Sequence, residues 1–130
     1  MADIASWNIL IIDDEPDSIG VVKLIFDFHR SPVRAAHSGP EGLAMLRQQR
    51  PTFLLLDINM PAMTGWDVLK AIREDPALTD LPVIALTAHA MSGDRERILS
   101  AGFDGYIPKP ISPPTLISSI EEALNGSSRS

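Results

Sequence analysis

Short unbroken apolar runs alternate along the chain with stretches in which apolar residues recur every three or four positions. The runs are Asn8-Ile9-Leu10-Ile11-Ile12, Phe53-Leu54-Leu55-Leu56 and Pro82-Val83-Ile84-Ala85-Leu86, with a weaker one at Val33-Arg34-Ala35-Ala36 and a short one at Gly105-Tyr106-Ile107. Runs of this length between turn residues predict strands buried on both faces, as inside a parallel sheet. The intervening stretches predict helices. Pro16 opens the first, followed by Ile19, Val22 and Phe26 and by Val21, Ile25 and Phe28, and Ser31-Pro32 ends it. Ser38 with Glu41 three positions on reads as a capping box for the second, which Pro51 stops. The third follows Gly65, with Val68, Leu69 and Ile72 inward; the fourth runs from about Met91 to Ser100, closed by Gly102. The fifth starts near Pro113-Pro114 and gathers Leu116, Ile117, Ile120, Ala123 and Leu124 on one side. Five strands alternating with five helices call for an α/β fold, a five-stranded parallel sheet with helices on both faces. One domain is expected over residues 8–125, after a lead at 1–7 and before a disordered tail at 126–130.

Composition narrows the function classes. Seventeen acidic against eleven basic residues give a formal charge of −6, so no nucleic-acid partner is expected. The absence of cysteine excludes disulfides, thiolate metal sites and a Cys nucleophile, and suits a cytoplasmic protein. No apolar run reaches the ~18 residues of a membrane span, and the N-terminus lacks a signal pattern, so no membrane association is expected.

The polar residues at the strand ends carry the chemistry. Asp13 and Asp14 end the first strand, Asp57 the third, Thr87 the fourth, and Lys109 follows the fifth. Taken singly each has an ordinary role: helix cap, turn residue, satisfied hydroxyl, solvated lysine. In a parallel sheet, however, all five fall on the carboxyl edge, where such folds place their ligands. Two carboxylates ~4 Å apart repel by about 4 kcal/mol at an effective dielectric near 20. Lys109 offsets one charge and leaves room for a divalent cation. Oxygen ligands alone, without Cys or paired His, point to Mg²⁺. A hard cation, an ammonium and a hydroxyl around one carboxylate can stabilise a transferring phosphoryl group, with Asp57 as the nucleophile.

Asp13-Asp14, then Asp57 with Met60-Pro61 and Gly65, then Thr87-Ala88, then Tyr106 and Lys109-Pro110 form an ordered set that resembles the receiver domain of two-component response regulators, from about Asn8 to Leu124. The resemblance implies the flavodoxin-like strand order 2-1-3-4-5 of chemotaxis-type receivers. It implies Asp57 as phosphoacceptor, taking the group from a histidine kinase or histidine phosphotransfer protein. Asp14, Asp57 and the Asn59 backbone carbonyl would ligate Mg²⁺ (or Mn²⁺ in its place), with Asp13 acting through a water. Lys109 and Thr87 would stabilise the phosphoryl group, and Thr87 with Tyr106 would form the switch. The Lys109-Pro110 peptide would be cis. Phosphorylation adds close to two negative charges, which the switch would report to the face of the fourth helix, fifth strand and fifth helix. A downstream protein would read that face around Ala90, Met91, Ile98, Tyr106 and Pro113, with plain core packing the alternative role for Met91 and Ile98. Asn59, two after the acceptor, and His89, two after Thr87, would tune the phosphoryl lifetime, the alternative being that both are exposed polar loop residues. The molecule is then a switch and not an enzyme in the ordinary sense, a monomer or weak homodimer.

Three rivals remain in view. A haloacid-dehalogenase-type phosphatase needs a second Asp two residues after the nucleophile, where Asn59 stands. A flavodoxin-like FMN carrier cradles phosphate after the first strand, where Asp13-Asp14-Glu15 would repel it. A phosphorylation-independent interaction module would usually lack one of the key residues, and none is missing. A receiver excised from a hybrid histidine kinase would share the chemistry and differ only in context.

Overall fold

The three long apolar runs form the centre of one parallel sheet. The computed structural model describes residues 4–88 and 92–126. In chain order its elements are β1 (Ile9–Ile12), α1 (Pro16–Phe28), β2 (Val33–Ala36), α2 (Gly39–Gln48), β3 (Phe53–Asp57), α3 (Gly65–Glu74), β4 (Val83–Thr87), α4 (Ser92–Ala101), β5 (Gly105–Pro108) and α5 (Pro113–Gly126). The strands lie in the order β2-β1-β3-β4-β5, all neighbours parallel, as expected. Every residue of β1, β3 and β4 is buried, which is why these strands are uninterrupted apolar runs instead of alternating ones.

Successive side chains leave a strand on opposite faces, so the two sides of the sheet build separate cores. Leu10, Ile12, Leu54, Leu56, Val83 and Ala85 pack with Leu46 of α2 and Val68, Leu69 and Ile72 of α3. Ile9, Ile11, Phe53, Leu55, Ile84 and Leu86 pack with Val22 and Phe26 of α1 and Leu116 and Ile120 of α5. Burying one such side chain contributes about 1.5–3 kcal/mol. Among the described residues, no helix is long and apolar enough to cross a membrane.

Several local details differ from the sequence expectation. Trp7, placed in the lead, is buried against Phe26 and edge-on to Phe53, with ring centroids 5.2 Å apart in the latter pair. Ile4–Ser6 ahead of it forms a 3-10 turn, and the Ser31 hydroxyl donates to the Ile4 carbonyl. In α1 only the Ile19, Val22, Phe26 series is buried; Phe28 faces solvent. Ser38 caps α2 by accepting from Glu41 N, but Glu41 returns its carboxylate to His37 N, one residue short of a closed box. The reciprocal box forms instead at Thr64 and Asp67, heading α3. Gly102, at φ +115°, ends α4 in a conformation other residues rarely adopt. The tail beyond Gly126 lies outside the described residues.

Candidate functional site

Strand register delivers the polar residues to one edge. Ile12 pairs with Leu56, Asp57 with Leu86, and Thr87 with Pro108, so Asp13, Asp57, Thr87 and Lys109 each sit within a residue of the sheet's carboxyl end. Hydrogen bonds continue past the strands and fix these backbones: Asp13 N donates to Ala36 O, Ile58 N to Leu86 O, and Lys109 N to Thr87 O. The Lys109–Pro110 peptide is cis. Gly65 shapes the loop behind Asp57. Its N–H donates to Ile58 O at 2.9 Å, and a Cβ there would lie 2.4 Å from the Asp57 carbonyl oxygen and 2.6 Å from Ile58 Cα. Any side chain at this position would therefore push on the backbone that carries Asp57.

Asp13, Asp57 and Thr87 are buried at the edge, and Asp14 is exposed beside them. Carboxylate oxygens of Asp13, Asp14, Glu15 and Asp57 all lie within 4.8 Å of one another. The Lys109 ammonium reaches three of these groups: Glu15 at 2.6 Å, Asp13 at 2.9 Å and Asp57 at 3.4 Å. At Asp57, Oδ1 accepts from Asn59 N at 3.1 Å. Oδ2 is buried with no hydrogen-bond donor aligned on it among the described residues; the Lys109 contact there is an ion pair at longer range. Burial, then the charge of Asp13, raises the Asp57 pKa from 3.8 to about 7, against the opposing pull of Lys109 and Asn59 N–H. Burial works against the Lys109 charge, but Glu15 and Asp13 at contact distance and the charge of Asp57 more than offset it and hold its pKa above the ordinary lysine value. One cation against four carboxyl groups leaves the cluster short of positive charge. An all-oxygen donor set with a buried, under-coordinated carboxylate oxygen fits a hard divalent cation.

The expected residues do converge: Asp13, Asp14 and Asp57 are mutual neighbours, Lys109 pairs with Asp13 and Asp57, and Thr87 ends the adjacent strand. Asn59 and Thr87 line a cavity of about 310 Å³ together with Trp66, Arg97 and Ile98. There Arg97 sits 4.8 Å from the Trp66 ring centroid, a cation–π contact between α4 and α3. Tyr106 is half-buried and borders a cleft of about 580 Å³ between α4, β5 and α5, shared with Arg95, Leu99 and Glu122. Pro113 is exposed nearby. Of the two roles open to Ile98, the structure gives it core packing: it is 2% exposed and belongs to the core beneath α4, not to a partner-reading surface. His89, Ala90 and Met91 lie outside the described residues. Sequence reading missed Glu15 as a partner of Lys109. The available signal was the third consecutive acid after β1, placed just before Pro16 at the same edge.

The family model for the response regulator receiver domain matches residues 9–121. The polar-differentiation response regulator DivK of Brucella anthropi is 35% identical over 117 residues, 90% of this chain and 95% of that protein. The solved structure of the Vibrio cholerae chemotaxis protein CheY4 superposes with a TM-score of 0.83 at 26% identity, covering 90% of this chain and 98% of the other. The signal receiver domain of a histidine kinase from Syntrophus aciditrophicus gives a TM-score of 0.80 at 30% identity, covering 96% and 95%.

Proposed function

The chain belongs to the response regulator receiver domain family, and from that premise we propose that it accepts a phosphoryl group on Asp57 in a Mg²⁺-dependent step that switches the surface it offers a partner. The observation that carries this reading is Asp57 Oδ2: a buried carboxylate oxygen at the sheet edge, without a hydrogen bond among the described residues, 3.4 Å from an ammonium and ringed by further acids. A structural carboxylate in such a place would be saturated.

Asp14 and Asp57, with the Asn59 carbonyl, would hold the ion, and Asp13 would act through a water; Mn²⁺ offers the same hard-oxygen chemistry. When bound, Mg²⁺ supplies positive charge to the phosphoryl oxygens during transfer. The remaining work falls to the chain's own residues. An Asp57 oxygen forms a bond to phosphorus as the P–N bond of a donor phosphohistidine breaks. The imidazole leaves with the bonding pair and takes a proton from solvent. Asn59 N–H fixes the other Asp57 oxygen, so the nucleophile is aimed. Lys109 would pair with the incoming oxygens, and Thr87 would donate to them once the group is in place. The Asp57 pKa near 7 makes the ionised nucleophile scarce under acid conditions unless a cation lowers it.

The phosphorylated state adds close to two negative charges at one carboxylate. Thr87 and Tyr106 would transmit that change to the cleft between α4, β5 and α5, where a downstream protein docks. Asn59 lines the cavity beside Thr87, a place from which it would influence the attacking water and the phosphoryl lifetime. The donor would be a histidine kinase or phosphotransfer protein in the cytoplasm. A receiver within a hybrid kinase, as in the Syntrophus relative, would use the same site for an intramolecular relay. The test is intact mass after incubation with acetyl phosphate. One phosphoryl adduct with Mg²⁺, none with a chelator and none in Asp57→Asn is the expected result. No adduct under any condition would leave a phosphorylation-independent interaction module.

A further inference from the structure

Glu15 is the N-cap residue of α1, yet its side chain makes no capping hydrogen bond. N-cap side chains ordinarily accept from the first turn of the helix. The Glu15 carboxylate instead reaches across to Lys109, a residue 94 positions away, with Oε1 to Nζ at 2.6 Å. This is the shortest of the three carboxylate contacts that ammonium makes; the acceptor Asp57 has the longest, at 3.4 Å. The backbone beneath Glu15 is fixed as well, because Glu15 N donates to Asp13 Oδ1 at 2.8 Å. The Lys109 side chain is 8% exposed and that of Glu15 60%, so the ammonium is the enclosed member of the pair and the carboxylate the one free to turn into water.

We propose that Glu15 is a positioning residue that draws Lys109 away from the acceptor and so limits how tightly the phosphorylated state is held. The inference rests on the phosphoacceptor reading above. Lys109 has three N–H groups, and any oxygen of a phosphoryl group on Asp57 must compete for them with Glu15. Phosphorylation also adds a second like charge beside the Glu15 carboxylate. Competition and repulsion act in the same direction: removing the Glu15 charge frees the ammonium and favours the phosphoryl-bearing state. Solvent exposure of Glu15 screens the effect to a modest size.

The experiment measures the affinity of the full chain for beryllofluoride, an inert phosphoryl mimic, at saturating Mg²⁺, and separately its affinity for Mg²⁺ alone, in wild type, Glu15→Gln and Glu15→Asp. Glu15→Gln is expected to bind beryllofluoride about fivefold more tightly, with Mg²⁺ affinity unchanged or slightly reduced. Glu15→Asp keeps the charge but is one methylene too short for the 2.6 Å contact, and should fall between the two. A purely structural role would weaken both ligands together. Unchanged or weaker beryllofluoride binding in Glu15→Gln, or a matching loss of Mg²⁺ affinity, would overturn the role assigned to Glu15 while leaving the phosphoacceptor reading intact. Failure of wild type to bind beryllofluoride would overturn both.

Discussion

Two buried ion pairs lie at opposite edges of the same sheet. At the amino edge, Arg73 of α3 meets Asp104, which immediately precedes β5, at 3.1 Å. Arg73 also donates to the carbonyls of Thr79, Leu81 and Gly102, and Asp104 Oδ2 also accepts from Val83 N, the first residue of β4. That pair ties α3 to the starts of β4 and β5. At the carboxyl edge, Lys109 is shared among three acids, and Asp57 Oδ2 has no aligned donor among the described residues. The contrast separates two uses of buried charge. Charges that hold architecture are saturated with local donors and acceptors, because an unpaired one is costly. At the other edge the shortage is kept, and on the proposed function that shortage is what would make the site receptive to a cation and a phosphoryl group.

The comparison can be broken first at its saturated end. Asp104→Ala removes the carboxylate shared by the Arg73 guanidinium and Val83 N and is expected to cost about 3–5 kcal/mol in urea unfolding, while the folded fraction still accepts a phosphoryl group. A cost under ~1 kcal/mol would mean the pair is not the anchor described. The opposite sign is expected at the other edge. The Asp57 pKa is near 7 in the folded chain against 3.8 ordinarily, so between those values the unfolded chain ionises first and the folded state loses ground as pH rises. Asp57→Asn should therefore be more stable than wild type by on the order of 2 kcal/mol at pH 8, with the difference shrinking to nothing near pH 4. A variant that is less stable at pH 8 would show that Asp57 is not strained by its surroundings.

Cation addition should relieve the same shortage. At tenfold excess over its Kd, Mg²⁺ should stabilise wild type by about 1.4 kcal/mol, less so Asp57→Asn, and the gain should fade below about pH 7 as Asp57 protonates. Equal stabilisation of both proteins would place the ion elsewhere. The smallest effect is expected where charge is neither buried nor short of partners. Arg50 hydrogen-bonds Asp80 at the surface and lowers its pKa, yet Asp80→Asn should leave the unfolding midpoint unchanged within error.

Much of this was legible in the sequence because the fold's logic is local and repetitive. A fully buried strand must be a continuous apolar run, so β1, β3 and β4 announce themselves, and parallel topology then places Asp13, Asp57, Thr87 and Lys109 together. What escaped notice depends on contacts between distant residues. Trp7 reads as part of a frayed lead until Phe26 and Phe53 are seen to flank it. Arg73 and Asp104 look like surface charges 31 positions apart. Glu41 satisfies the helix-start pattern, but its reach to His37 instead of Ser38 is decided by local backbone geometry. Ile98 sits on a helix whose polar composition hides which side faces the core. The aim of Glu15 was hidden for the same reason: an acid before a helix looks like a cap until the lysine it meets is in place.

The most direct test of the central claim locates the phosphoryl group. Protein treated with acetyl phosphate and Mg²⁺ is reduced with borohydride, which converts an aspartyl phosphate to homoserine, and is then digested and sequenced by tandem mass spectrometry. Homoserine at position 57 alone is the expected result. Homoserine at Asp13 or Asp14, or an unmodified Asp57 in protein that carries the adduct, would contradict it.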